Sequence, residues 1–215
     1  MNVVVSGTSS GIGEAIARTF VRRGHNVFGL DVMPPSIIHP RYTHFIHDIR
    51  NADYPALPPA HIVISSAGTL EERDAIEVNL TATMDFTDHF VKSSALRSVL
   101  FIASASARNG AEFPRYVASK AGIVAYMKNL ALQLASRGVT CNSISPGGVI
   151  TPANAHILES ETLYAQVLNE TLFHKWAEPI EIAELAYFLA VTNRSITGED
   201  ILVDNGEMLK SNFIW

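Results

Sequence analysis

The sequence predicts an α/β protein, one doubly wound domain over residues 1–215 with a parallel sheet of about seven strands. Three observations carry this. Short apolar runs rich in β-branched residues alternate with segments of helical period. The runs are continuously apolar rather than alternating, which means burial on both faces and hence parallel pairing under helices. No Pro/Gly/Ser-rich linker and no repeat divides the chain.

In chain order, Val3–Ser6 is the first strand, followed by a glycine turn and a helix over Ile12–Arg23. Gly24 stops that helix, with Arg22 and Arg23 in its last turn. Asn26–Leu30, Tyr42–Ile46 and His61–Ser65 are the second to fourth strands. A helix around Arg73–Lys92 leads to the fifth strand, Ser98–Ala103, and a helix from about Arg115 to Ser136 ends at Gly138. Val139–Ile144 is the sixth strand, Pro179–Val191 a helix and Asp200–Val203 the last strand. Between the third and fourth strands, Pro55, Pro58 and Pro59 forbid a normal helix, so the crossover helix after the third strand is missing and that edge of the sheet is less covered.

Composition narrows the class. The chain is 47% apolar and carries only 16 Lys+Arg and 21 Asp+Glu, a net charge of −5. Charged residues make up 17%, against about a quarter in average soluble chains. This excludes disordered and collagen-like classes and points to a large core with further burial between subunits. No Lys/Arg cluster marks a nucleic-acid surface. The single Cys141 cannot form an internal disulfide, which fits a reducing compartment. Met1-Asn2 runs straight into Val3-Val4-Val5 without a signal-peptide pattern, and no apolar run approaches the ~20 residues of a membrane span. A soluble cytoplasmic protein is expected. His39, His44, His47 and His61 share one stretch, but strand alternation puts His44 and His47 on opposite faces, so no metal site is expected.

Directly after the first strand stands Gly7-Thr8-Ser9-Ser10-Gly11-Ile12-Gly13. Glycines let main chain turn tightly and approach a pyrophosphate, and the following helix start offers unpaired N–H groups. Asp31 ends the second strand, where a carboxylate accepts hydrogen bonds from ribose hydroxyls and repels a 2′-phosphate. Neither Ser10 nor Val32 is basic, so NAD is favoured over NADP. Tyr116 and Lys120 lie at i and i+4 on one helix face, where an ammonium is expected to draw the phenol's pKa down toward working pH. Ser104 follows the fifth strand, at the end of the sheet where such folds bind ligands; Ser106 is its rival, two residues beyond the apolar run.

Taken together these motifs resemble the short-chain dehydrogenase/reductase family, with this chain a shortened member. The resemblance covers nearly the whole length. Ser65-Ser66-Ala67-Gly68 is similar to the family's Asn-Asn-Ala-Gly, and Asn79 to its helix asparagine. Pro146-Gly147-Gly148-Val149-Ile150-Thr151 resembles its Pro-Gly-x-Val-x-Thr, and Glu178–Ala183 its Pro-Glu-Glu-Ile-Ala helix start. Ile196-Thr197-Gly198 with Val203-Asp204-Asn205-Gly206 resembles its ending.

The resemblance implies a Rossmann-type fold and an NAD(H)-dependent oxidoreductase acting on a secondary alcohol or ketone. It implies Tyr116 as acid/base, Lys120 tuning it and binding nicotinamide ribose, Ser104 steadying the substrate oxygen, and Asn79 holding a water in a relay to Lys120. Gly7, Ser9, Ser10, Gly11, Ile12, Gly13, Asp31, Ser66, Ala67, Gly68, Pro146, Gly147, Val149 and Thr151 would hold the cofactor, with Asp48 and Ile49 at the adenine. A small-molecule substrate and a homodimer or homotetramer are expected. A catalytically idle nicotinamide-nucleotide sensor is the alternative; a methyltransferase is disfavoured by the glycine spacing.

Some positions depart from the family. Ser65 and Ser66 replace asparagines, Asn205 replaces a glycine, and the wall between Gly68 and Asn79 is short. Residues 152–177 correspond to a substrate lid, whose His156, Ile157, Leu158, Tyr164, Leu168, Leu172, Phe173 and Trp176 suit a moderately apolar substrate. The apolar ending Phe213-Ile214-Trp215 is expected to pack on its own domain or on a neighbouring subunit.

Overall fold

Seven strands pair in parallel in the order β3-β2-β1-β4-β5-β6-β7 in the computed structural model, which describes residues 1–210. They are β1 (Asn2–Ser6), β2 (Asn26–Asp31), β3 (Tyr42–Ile46), β4 (Ile62–Ser65), β5 (Ser98–Ile102), β6 (Thr140–Pro146) and β7 (Asp200–Val203). The expected packing of Phe213-Ile214-Trp215 lies outside the described residues. Because β1 pairs with both β2 and β4, the strand order reverses there, and a crevice opens at the carboxyl ends of β1 and β4.

Most of the expected elements are present within a residue or two. β6 runs on to Pro146, beyond the predicted Ile144. Its polar Ser143 and Ser145 break the apolar pattern, yet both are buried because their hydroxyls donate to Asp200 at 2.7 Å. Two predicted helices contain wider turns. Ile76–Ala82 is π-helical before α2 (Thr83–Phe90), and Phe188–Thr192 is π-helical after the helix Pro179–Tyr187. Such turns are frequent at functional sites; the first contains Asn79.

Helices cover both faces. On one, α1 (Gly11–Arg22) packs on the helix Pro179–Tyr187, placing Ile16 and Phe20 in one core with Ile182 and Leu189. On the other, α2 and the helix Pro114–Leu134 enclose Phe86, Phe101, Met127 and Leu130. Gly24 and Gly138 end their helices with φ of +84° and +65°, the conformation that glycine adopts without a Cβ penalty.

No helix stands between β3 and β4. The loop instead buries Ile49 and packs Tyr54 and Leu57 against the core, so the edge is plugged by side chains while β3 stays partly exposed. Among the described residues no helix is long and apolar enough to cross a membrane.

Candidate active site

The crevice is a cleft of about 790 Å³ lined from the ends of β1, β2, β4, β5 and β6. Its first wall is main chain. Gly7 has φ +78°, and a Cβ there would meet Ala67 N at 2.7 Å. A Cβ on Gly13 would run into the carbonyl oxygen of Gly7. The Ser6 hydroxyl accepts the Ser66 and Ala67 N–H groups at 3.1 and 3.2 Å, while Ser65 pairs with Thr87 at 2.9 Å. These bonds hold the end of β4, where Ser65 and Ser66 stand in place of asparagines. Ser10 is extended and makes no side-chain cap, so the first-turn N–H groups of α1 are left to the cleft.

Asp31 lines the cleft and accepts Ser9 N on one carboxylate oxygen and Met33 N on the other, both at 2.9 Å. Each oxygen keeps a further lone pair. Arg50, which no motif marked, also lines this end, but Asp48 holds its guanidinium through both carboxylate oxygens. Of the expected cofactor residues, all but Ser9 line the cleft. Ser9 stands behind it because its N–H and hydroxyl are turned to Asp31 and the Met33 carbonyl.

At the other end, Ser104, Tyr116 and Lys120 come together. Ser104 follows β5; Tyr116 and Lys120 share the helix Pro114–Leu134, whose start is fixed by Pro114 and by the Glu72 carboxylate, which accepts Arg115 N at 2.9 Å and Tyr116 N at 3.3 Å. Lys120 is 7% exposed and its Nζ donates to the Ile102 carbonyl at 3.0 Å. The expected lowering of the phenol does not occur. Burial pushes Tyr116 up to about 12, opposed by a hydrogen bond with Ser104 and reinforced by Glu112. Burial likewise pushes Lys120 down to about 8, with Glu112 opposing. Desolvation wins because the ammonium turns to a carbonyl and sits 5.7 Å from the phenol ring centre.

Asn79 holds its side chain away from the cleft. It lies behind the cleft wall, its Oδ1 accepting Thr69 N at 2.7 Å. Its Nδ2 donates to Thr69 O at 2.9 Å and Ser119 Oγ at 3.2 Å, so both amide N–H groups are engaged and fix the short wall after Gly68.

The lid comprises α5 (Ala155–Leu158) and α6 (Glu161–Asn169), with α3 (Ser106–Asn109), α4 (Pro114–Leu134) and α7 (Pro179–Tyr187) completing the helices. Of the eight lid residues expected against substrate, only Ile157 and Trp176 line the cleft, joined by Val167. Leu172 and Phe173 are exposed on the outside. Trp176 lies over Gly148, where any side chain would collide with the indole.

Motifs missed three carboxylates, Glu112, Glu170 and Glu207, which line this end. Burial raises Glu207, and Asp204, Glu170 and Glu112 raise it further by repulsion. Ser106 is no mere rival of Ser104, since its hydroxyl bonds Ser104 Oγ at 2.7 Å. Gly110 and Pro114, flanking Glu112, are the sequence signal that the chain turns sharply there. Of the clustered histidines, His44 bonds Tyr42 and the Met33 carbonyl, and His47 the Asn51 carbonyl.

The chain matches a family model described as Enoyl-(Acyl carrier protein) reductase over residues 63–207. It belongs to the short-chain dehydrogenase/reductase family, a family of oxidoreductases. Among relatives, oxidoreductase UcpA of Escherichia coli is 28% identical over 250 positions, covering 96% of this chain and 94% of its own. That alignment is longer than the 215 residues here, so the relative carries segments that this chain lacks. The 3-oxoacyl-[acyl-carrier-protein] reductase FabG of Buchnera aphidicola is 25% identical, covering 94% of this chain and 95% of its own. The aldohexose dehydrogenase of Thermoplasma acidophilum superposes with a TM-score of 0.88 at 25% identity over 100% of this chain and 96% of its own. Two structures at 23% identity share the fold. One, from Agrobacterium tumefaciens and described as a 2-deoxy-d-gluconate 3-dehydrogenase, holds NADP (TM-score 0.88, 97% and 96% covered). The other, 4-hydroxyisoleucine dehydrogenase, holds NADH (TM-score 0.86, 98% and 99% covered).

Proposed function

We propose that the protein is an NAD(H)-dependent oxidoreductase that interconverts a secondary alcohol and a ketone, with Tyr116 as the general acid/base. The observation that carries this reading is a single cleft lined by the glycine turn and Asp31 at one end and by Ser104, Tyr116 and Lys120 at the other. The residues fit a dinucleotide. Gly7, Gly11 and Gly13 and the start of α1 would cradle the pyrophosphate, Asp31 the adenosine ribose, and Asp48 and Ile49 the adenine. Ser66, Ala67, Gly68, Pro146, Gly147, Val149 and Thr151 would hold the nicotinamide half together with Lys120. The bound nicotinamide supplies hydride transfer. Ser104 steadies the substrate oxygen, and Tyr116 takes or gives its proton.

Asp31 supports NAD, since a 2′-phosphate would meet its carboxylate, and Asp48 already neutralises the nearby Arg50. Glu112, Glu170 and Glu207 repel an anionic substrate and favour a neutral alcohol or ketone. The test is oxidation of NADH and NADPH side by side against a panel of neutral and carboxylate-bearing ketones. Neutral ketones with NADH should turn over fastest, and Tyr116→Phe should lower kcat by about 1,000-fold while leaving NADH affinity within twofold. Preference for NADPH defeats the reading of Asp31; full turnover by Tyr116→Phe defeats the mechanism.

A further inference from the structure

The acid/base reading of Tyr116, on which this inference rests, requires the phenol to stand at a fixed place against the bound alcohol. The helix that carries it, α4, starts without a cap of its own. A helix start leaves main-chain N–H groups unpaired, and the residue before the first turn ordinarily offers a side-chain oxygen to the second or third of them. Here that residue is Phe113, which has no such oxygen. Pro114 brings no N–H, and Val117 N already donates to the Phe113 carbonyl at 2.9 Å. The N–H groups of Arg115 and Tyr116 are left over, and the Glu72 carboxylate takes both. Arg115 N donates to its two oxygens at 2.9 and 3.2 Å, and Tyr116 N to one of them at 3.3 Å.

The carbonyl of Tyr116 is held from the same side. It accepts the Ser119 hydroxyl at 2.6 Å, and Ser119 Oγ accepts Asn79 Nδ2 at 3.2 Å. Asn79 is itself paired with the Thr69 main chain through both its amide oxygen and its amide nitrogen. Ser119 and Asn79 are buried, where such bonds hold geometry most firmly. Thr69 and Glu72 belong to one short segment, closed further by Glu71 N on Thr69 Oγ1 and Asp74 N on the Glu71 carbonyl, both at 3.0 Å. The same segment is a wall of the cleft, with Thr69, Leu70, Asp74 and Val78 facing the cavity.

We propose that Glu72 is a positioning residue for Tyr116, tying the helix that carries the phenol to the wall on which the substrate rests, so that the two stand as one body. Its carboxylate does not line the cleft and acts through the Tyr116 main chain. An anionic acceptor at a helix start is favoured by charge as well as by hydrogen bonding. No acidic residue stands in the first turn of α4 to take its place.

Helix stability alone would not need so distant a partner. Phe113 is half-exposed and extended, at φ −81° and ψ 132°, which suits a serine or aspartate cap. The chain instead draws the cap from 43 positions before Arg115, out of the wall itself. A local cap would serve the helix; this one also fixes the distance between helix and wall.

The test uses the whole chain with the most active alcohol of the panel, well below the melting temperature, with turnover counted per NADH site by fluorescence titration. Glu72→Ala should lower kcat about tenfold and raise the alcohol's KM about threefold, with NADH affinity within twofold and a lower melting temperature. Glu72→Gln, which keeps an acceptor oxygen, should recover most of kcat. Adding Phe113→Asp to Glu72→Ala caps the helix from its own residue and leaves the wall untied. This double variant should regain the melting temperature while kcat stays low, and it keeps the test open if Glu72→Ala alone does not fold. Recovery of kcat together with melting temperature in the double variant would show that Glu72 is only a helix cap and overturn the proposal. So would a kcat within twofold of the parent in Glu72→Ala. Either result beside an inactive Tyr116→Phe leaves the acid/base reading standing; full turnover by Tyr116→Phe overturns that reading and the positioning role with it.

Discussion

At the β1 end of the cleft, main chain packs on main chain: Gly7 against Ala67, Gly13 against the Gly7 carbonyl. At the β5 end, the surface is made of side chains, with Ser104, Ser106, Glu112, Tyr116 and Lys120 from one stretch of chain joined by the distant Glu207. The first end has no room for an added atom. The second holds groups in states that water would not give them, a lysine lowered to about 8 and a phenol raised to about 12. Backbone gives the proposed nucleotide end its rigidity; the proposed chemical end trades stability for poised protons.

The comparison breaks most sharply at Gly13. Gly13→Ala places a Cβ on the Gly7 carbonyl, where backbone and not a flexible side chain must yield. It should weaken NADH binding about 100-fold, or about 2.7 kcal/mol, read by fluorescence titration. A loss under threefold would show that the turn can yield.

The opposite sign is expected at Lys120. Its pKa falls from 10.5 to about 8 on folding, so below pH 8 the folded state carries a buried charge that costs about 3 kcal/mol. Lys120→Met removes that cost and loses the bond to the Ile102 carbonyl, worth about 1 kcal/mol. The ligand-free variant should melt about 4–8 °C higher at pH 7. The unfolded chain binds the extra proton between pH 8 and 10.5, so wild-type stability from this group rises with pH there and the variant's advantage fades. A variant that melts lower at pH 7 would show that the ammonium is not strained.

The smallest effect sharpens the same contrast. Glu112→Gly relieves the positive φ but frees the unfolded chain, for a net gain of about 0.5 kcal/mol, or about 1–2 °C. Loss of stability in calorimetry would mean that the carboxylate's contacts outweigh the strain.

The same contrast explains what was legible in the sequence. A site made of backbone needs glycines at fixed spacing on one continuous segment, so Gly7–Gly13 and Asp31 could be read directly. The strands were equally legible, since burial on both faces writes continuous apolar runs. Where burial is satisfied by a polar partner, as for Ser145 on Asp200, the apolar run stopped and β6 was read short. Glu112 and Glu207 lie far apart in the chain and meet only in the fold, so no local pattern announces them. The direction of the Tyr116 shift was missed for a related reason. Spacing on a helix shows that an ammonium is near, but desolvation and the carbonyl that captures it are tertiary facts.

The seam between β1 and β4 bears on how the molecule is made as well as on what it binds. Ser6 clasps Ser66 and Ala67 across it, joining segments about sixty residues apart, a closure of the slow, non-local kind. The proposed nucleotide pocket therefore exists only after that closure, and a chain folded on one side alone has no cradle. Any ligand seated across the seam draws the folding equilibrium toward the finished sheet by mass action, at 100 times its dissociation constant by about 2.7 kcal/mol. Cofactor abundance would then set how much of this chain stands assembled as well as how fast it turns over.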